Sequence, residues 1–220
     1  MIPLILRLKK QVHRDVAKAQ DLVVETLYRK CNGAVLHGGT AIWRCYQGNR
    51  FSEDIDVYLS KNLPMIESFF SELEKKGFTV EKKKITEKSL YSTLMLGRTS
   101  VRFEAVFKEA KSALKEYEMA EGNLITVNAL SPADLVREKL LAYRNRGLVR
   151  DVYDIFFLLR YVEDISQLRN DLLKFIKEFT NPVDEPELKV LILEGLVPST
   201  RKMIEYIRGK SHNGEAKISR

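Results

Sequence analysis

The sequence predicts an α+β fold in two domains: a mixed sheet with flanking helices, then an all-helical C-terminal domain. Three observations carry this. Up to about residue 129, strand-like alternation and helix-like periodicity interleave. From Ser131 to about residue 209 the apolar spacing is helical throughout. Between them in importance stands one stretch, VLHGGTAIWRCYQGNRFSEDIDVYLS at 35–60, which reads strand, glycine turn, short helix, strand.

The elements follow in order. Residues 5–31 place Leu8, Val12, Val16, Leu22, Val23 and Leu27 at helical spacing, so a helix is expected on the outside of the core, ended by Asn32-Gly33. Val35 and Leu36 make a short apolar strand that runs into Gly38-Gly39-Thr40. A short helix is expected from about Thr40 to Tyr46, with Trp43 and Tyr46 in the core. Ile55, Val57 and Leu59 then alternate with Asp54, Asp56 and Tyr58, which is the period of a strand. Pro64 opens a helix that Gly77 ends. Strands are expected at about 78–85, 90–96 and 100–107, the last two joined by a hairpin at Gly97-Arg98. In the third, Val101, Phe103, Ala105 and Phe107 face one way and Arg102, Glu104 and Val106 the other, which leaves Glu104 as a charge in mid-sheet. Leu124–Val127 adds a last strand. Ser131 suits a helix N-cap, Pro132 the first turn and Asp134 the reciprocal capping position. The domains are therefore read as 1–129 and 130–210, with NPVDEPE at 181–187 as a break in the second and a disordered tail at 211–220.

The chemistry concentrates at the glycine turn and the strand after it. Asp54 and Asp56 lie two apart in a strand and project from one face. Two ionised carboxylates side by side repel one another, and a hard divalent cation between them relieves the repulsion. Mg²⁺ suits one or two carboxylates, waters and substrate phosphates. Glycine lets a backbone approach a phosphate closely, and a helix start offers unpaired N–H groups. Either motif alone is weak, since acidic pairs often sit on solvated strands and G-G-T is a common turn. Together, in this order, they describe a phosphate grip followed by metal carboxylates.

On these residues the sequence resembles a family. Gly38-Gly39, a gap of fourteen residues, then Asp54-Ile55-Asp56 is similar to the signature of polymerase-β-type nucleotidyltransferases. The finer text is closer to the AbiEii/AbiGii-type toxin branch: Gly38, Gly39, Thr40, Ala41 and Ile42, then Arg50, Ser52, Asp54, Ile55 and Asp56. A later block, with Lys139 on one helix and Arg150, Asp151 and Asp154 at the start of the next, extends the likeness over about 33–160. The resemblance implies a polymerase-β-type catalytic domain and a helical domain that completes the nucleotide site. It implies Mg²⁺ or Mn²⁺ on Asp54, Asp56 and a third carboxylate, for which Glu104 is the candidate although the superfamily often has Asp. It assigns phosphate seating to Gly38, Gly39 and Thr40, and nucleotide contact or loop bracing to Arg50 and Ser52. Lys139 becomes the triphosphate contact and Asp151 its orienting partner. By spacing alone Asp151 is equally a helix-start charge or a partner of Arg150. Tyr143 and Tyr153 could stack on a base, although core packing is the commoner role of such aromatics. The implied reaction moves a nucleoside monophosphate from an NTP to an acceptor hydroxyl, such as a tRNA 3′ end, as the toxin of a pair with a separately encoded antitoxin. A protein or small-molecule acceptor, or a nucleotide- or RNA-binding module without catalysis, are the alternatives.

Composition agrees with polyanionic partners. Net charge is +7 over 220 residues. The excess gathers at Arg137, Lys139, Arg144, Arg146 and Arg150 and in the tail, while the lysines at 75–88 are balanced by glutamates and read as a solvated face. No uncharged apolar run approaches the ~18 residues of a membrane span, and the N-terminal apolar run lacks a basic start and a cleavage site, so a cytoplasmic protein is expected. Cys31 and Cys45 make no metal pattern and read as reduced, small apolar residues. With three histidines and no visible Ser-His-Asp or Cys-His set, acyl transfer and zinc hydrolysis are poor readings, and His37 is taken as structural.

Overall fold

In the computed structural model, which describes residues 2–31 and 33–212, the chain divides into two compact units, Met1–Leu130 and Ser131–Arg220. The first contains α1 (Leu4–Arg7), α2 (Gln11–Lys30), β1 (Val35–His37), α3 (Gly38–Cys45), β2 (Asp54–Leu59), α4 (Leu63–Lys75) and strands β3 (Phe78–Ile85), β4 (Ser89–Leu96), β5 (Thr99–Phe107), β6 (Ala113–Glu118) and β7 (Leu124–Ala129). Its seven strands form one sheet in the order β3-β4-β5-β2-β1-β7-β6. β1 pairs antiparallel with β2 and parallel with β7, β2 runs parallel to β5, and the outer pairs are antiparallel hairpins, so the sheet is mixed.

Alternation decides which face is covered. Ile55, Val57, Leu90, Leu94, Val101, Phe103 and Ala105 are buried together. Phe69 and Phe70 of α4 close over them, with the Phe69 and Phe103 rings 5.0 Å apart. Each of these side chains larger than alanine contributes about 1.5–3 kcal/mol of burial. The helix α4 starts where the polar cap allows: Asn62 accepts from the Met65 N–H at 3.0 Å, and a proline stands in the first turn. The opposite sheet face carries the charged residues and stays partly open.

Three differences from the expected elements have physical reasons. The helix after the glycine turn begins at Gly38 rather than Thr40, because Gly38 supplies the left-handed φ of +68° that turns β1 directly into α3. Strand β6 was not expected. Half of ALKEYE is charged and its apolar residues do not alternate, and it becomes a strand by pairing along the whole of β7. Its Tyr117 and Glu118 are buried against an ionic knot in which Arg44 holds Asp21 and donates to the Glu118 carbonyl at 2.6 Å. Asp21 in turn accepts the Ala120 N–H at 2.7 Å. Val12, expected on the packed stripe of the first helix, is exposed instead, and that helix starts only at Gln11. Its expected stop at Asn32 lies outside the described residues.

The second unit is helical: α5 (Pro132–Arg146), α6 (Val149–Leu158), a 3₁₀ turn (Ile165–Leu168), α7 (Arg169–Glu178), a second 3₁₀ turn (Glu185–Glu187), α8 (Leu188–Leu191) and α9 (Thr200–His212). Ser131 caps α5 as its sequence suggests, accepting the Asp134 N–H at 3.2 Å while its hydroxyl meets the Asp134 carboxylate at 2.7 Å. On α5, Leu135 and Leu140 are buried while Leu141 is exposed. Of the disordered tail expected from 211, Ser211 is instead a buried residue of α9, and residues 213–220 lie outside the described residues.

Candidate active site

The glycine turn and the two aspartates meet because β1 and β2 pair with His37 opposite Asp56. A Cβ at Gly38 would stand 2.2 Å from an Asp56 carboxylate oxygen, and one at Gly39 would stand 2.5 Å from Ser52 Oγ and 2.8 Å from an Arg50 guanidinium nitrogen. The two glycines thus make room for side chains of this protein: Gly38 for Asp56, Gly39 for Arg50 and Ser52. Arg50 and Ser52 are both buried, and Arg50 donates to the Phe51 carbonyl at 3.0 Å. Gln20 donates to the Ser52 carbonyl at 3.0 Å. They sit behind the turn and brace it. Thr40 is likewise buried, with its hydroxyl on the Asp54 carbonyl, so it ties the start of α3 to the start of β2.

The parallel pairing of β2 with β5 sets Asp54 opposite Arg102 and Asp56 opposite Glu104. All four side chains lie on the open face. Glu104 therefore stands beside the aspartate pair on the neighbouring strand, which is where the sequence reading wants a third carboxylate. Burial, then the charges of Asp56 and Asp54, push its carboxyl above the usual 4.5. Burial is the larger cause, and the neighbouring aspartate charges add to it. The residue that sequence reasoning missed is Arg102. Its guanidinium grips Asp54 in a two-pronged pair, Nε at 2.6 Å and Nη2 at 2.7 Å from the two oxygens. The alternation that singled out Glu104 also places Arg102 on the same face, and this was the available signal.

Only oxygens are offered here, and the donor set of Asp54, Asp56 and Glu104 suits a hard divalent cation. As placed, with Arg102 on Asp54, no three carboxylate, histidine or cysteine groups among the described residues are gathered closely enough to hold an ion. Arg102 is thus a competitor for one of the three candidate ligands. His37 stacks flat on Tyr58 at 4.0 Å, and Lys108 lies over the other ring at 3.8 Å, which gives the histidine a packing role beside the site.

Within the helical unit, Lys139 is nearly buried and pairs with Asp154 at 2.8 Å and Asp151 at 3.6 Å. Asp151 is fully buried and takes both prongs of Arg146 at 2.8 and 2.7 Å. Arg146, four residues before Arg150, is the cation that sequence spacing did not assign to Asp151. The α6 start is capped by Asp184 instead, which accepts the Val149 N–H at 2.6 Å. Tyr143 is buried against Phe179 and Phe175 and donates to the Thr180 carbonyl at 2.5 Å, and Tyr153 is buried beside Phe156 and Phe157. Both are core aromatics rather than open stacking surfaces.

The family model for the nucleotidyl transferase AbiEii toxin of type IV toxin–antitoxin systems matches residues 25–205. The chain belongs to the AbiEii nucleotidyltransferase toxin family. It is therefore a nucleotidyltransferase, with the toxin–antitoxin setting of that family. Solved structures agree on the fold. JHP933 from Helicobacter pylori superposes with a TM-score of 0.64 at 17% identity, over 92% of this chain and 91% of that one. The nucleotidyltransferase toxin MenT4 from Mycobacterium tuberculosis gives 0.64 at 18% identity, over 91% and 83%. A putative nucleotidyltransferase from H. pylori gives 0.63 at 19%, over 92% and 94%. No curated protein sequence matches the chain. Among the described residues no helix of this AbiEii-family chain is long and apolar enough to cross a membrane.

Proposed function

We propose that this AbiEii-family enzyme transfers a nucleoside monophosphate from an NTP to a hydroxyl of RNA, tRNA-like in kind, and works in the cytoplasm against a separately encoded antitoxin. The acceptor hydroxyl gives up its proton to water as its oxygen bonds to the α-phosphorus, the bond from that phosphorus to the β-phosphate bridge breaks, and pyrophosphate leaves. The observation that supports this most is the meeting of Asp56, beneath the side-chain-free Gly38, with Asp54 and Glu104 on one open sheet face.

Asp54, Asp56 and Glu104 are the residues that would hold Mg²⁺ or Mn²⁺. When bound, such an ion neutralises phosphate charge and makes the acceptor hydroxyl more acidic. The rest is positioning, as in other phosphoryl transfers. Gly38 keeps the space above Asp56 clear, while Thr40, Arg50 and Ser52 keep the turn rigid. Lys139 is proposed as the point charge for the triphosphate and Asp151 as the group that orients it.

The test incubates the protein with Mg²⁺ or Mn²⁺, each α-labelled NTP and either total RNA or a protein extract. Label entering RNA, and lost in folded Asp54→Ala and Asp56→Ala proteins, is the expected result. Label in protein instead, or no transfer and no NTP binding, overturns the proposal. Lys139→Met should abolish transfer and also lower stability, since it removes a cation from beside the buried Asp151 and Asp154; transfer retained in the folded variant counts against the assignment.

A further inference from the structure

The open sheet face continues well beyond the carboxylates, and the register shows what lies along it. One row crosses four strands as Lys84, Tyr91, Glu104, Asp56. The adjacent row runs Lys82, Thr93, Arg102, Asp54. Neighbouring strands are about 4.8 Å apart, so Lys84 stands three spacings, roughly 14 Å, from Asp56. Both rows are acidic at the β2 end and basic at the β3 end.

A β-bulge creates this arrangement. Between Val80 and Lys82 the register with β4 shifts: Val80 is opposite the buried Leu94, yet Lys82 is opposite the open-face Thr93. Without the bulge, Val80 and Lys82 would share a face. The extra residue, Glu81, thus sends Val80 inward and turns Lys82 and Lys84 onto the face that bears the carboxylates. Lys83 takes the other side, where it pairs with Glu67 at 2.7 Å. Lys82 lies over the Tyr91 ring, 5.1 Å from its centroid, and Lys84 has no carboxylate partner among the described residues. Lysines and a bulge on an edge strand both discourage strand addition, but that purpose does not require an aromatic ring between the lysines and the carboxylates.

We propose that the open face of β3, β4 and β5 seats the single-stranded 3′ end of the acceptor RNA: Tyr91 stacks on a base, Lys82 and Lys84 hold backbone phosphates, and the terminal hydroxyl is led to Asp56 and Glu104. An aromatic ring flanked by cations is the general means of gripping a single strand. A base is the natural partner of a ring that already lies against an ammonium group, and the phosphates of the strand match the lysines. The inference rests on the RNA-acceptor reading and names the surface that serves it.

The test measures anisotropy of a fluorescein-labelled oligoribonucleotide of about ten nucleotides with a free 3′ hydroxyl, on the full chain without NTP. Tyr91→Ala should weaken binding about tenfold and Tyr91→Phe should restore it, since the ring does the work. The double change Lys82→Gln and Lys84→Gln should lower the slope of log K against log salt by about 1.4, two phosphates at about 0.7 each. Thermal melts and NTP binding should match wild type in all three. Wild-type affinity and slope in both the Tyr91→Ala and the lysine variants, or loss of NTP rather than RNA binding, overturns the platform. If wild type labels RNA and these variants label it equally well, the platform falls and the transferase reading stands. If wild type labels no RNA, the reading beneath it falls.

Discussion

Gly38→Ala is the sharpest single perturbation of this site. Two costs can be worked out. Alanine at φ +68° is held in the left-handed region, which costs about 1–2 kcal/mol. Its Cβ would also lie 2.2 Å from an Asp56 carboxylate oxygen, so the carboxylate must leave its place, at about 0.5–1.5 kcal/mol for a displaced rotamer. The sum is about 1.5–3.5 kcal/mol, or a fall in Tm of roughly 3–14 °C for a chain of this size. Urea denaturation of four proteins, wild type, Gly38→Ala, Asp56→Ala and the double variant, separates the terms. In the Asp56→Ala background the carboxylate contact is gone and only the Cβ of residue 56, at 3.1 Å, remains close, so Gly38→Ala should cost mainly the backbone share, and the coupling should be about 0.5–1.5 kcal/mol. Gly39→Ala makes a contrast. Gly39 has no positive φ, and its Cβ meets the side-chain ends of Ser52 and Arg50. It should cost less in the metal-free protein. Should Gly38→Ala cost the same in both backgrounds, or melt within about 1 °C of wild type, the idea that this glycine exists to house Asp56 is wrong.

Other outcomes follow from the same geometry. The Glu104 carboxyl is raised first by burial and then by Asp56 and Asp54, so its stabilising, protonated form is fully present below the ordinary 4.5 and is lost as pH rises through the folded value. Glu104→Gln should therefore flatten the decline in metal-free stability above that pH and should remove any stabilisation by Mn²⁺; an unchanged pH profile in thermal melts would count against crowded carboxylates. Arg102→Met frees Asp54 from its counter-ion. Exposed pairs of this kind are worth about 0.2–1 kcal/mol, so Mn²⁺ affinity by electron spin resonance should rise up to about fivefold, and a fall would mean that Arg102 supports the site rather than competes for it. Asp21→Asn leaves the buried Arg44 guanidinium uncompensated and should lower stability by about 3–5 kcal/mol in denaturant titrations, while a loss under 1 kcal/mol would show the knot to be dispensable.

What was legible in the sequence and what was not divide along one line. The period-two alternation from Asp54 to Leu59 determined that two carboxylates share a face, and the alternation from Val101 to Phe107 determined that Glu104 and Arg102 share one. Gly38-Gly39 declared a tight turn, and Ser131-Pro132 a helix start. These are local properties of a chain. Pairing is not local. Only the sheet decided that β2 lies beside β5 in a register that sets Asp56 against Glu104 and Asp54 against Arg102. Only the pairing with β7 made a strand of ALKEYE, a segment the sequence left unassigned. The glycines illustrate the difference best. Their flexibility could be read from residue type, but what occupies the space they leave, Asp56 at one and Arg50 with Ser52 at the other, comes from residues eleven or more positions away that the fold brings back. Lys139 and Asp151 show the same thing: spacing put them on neighbouring helices, and packing then chose Asp154 and Arg146 as their nearest partners, because a charge taken out of water must be met by another in three dimensions.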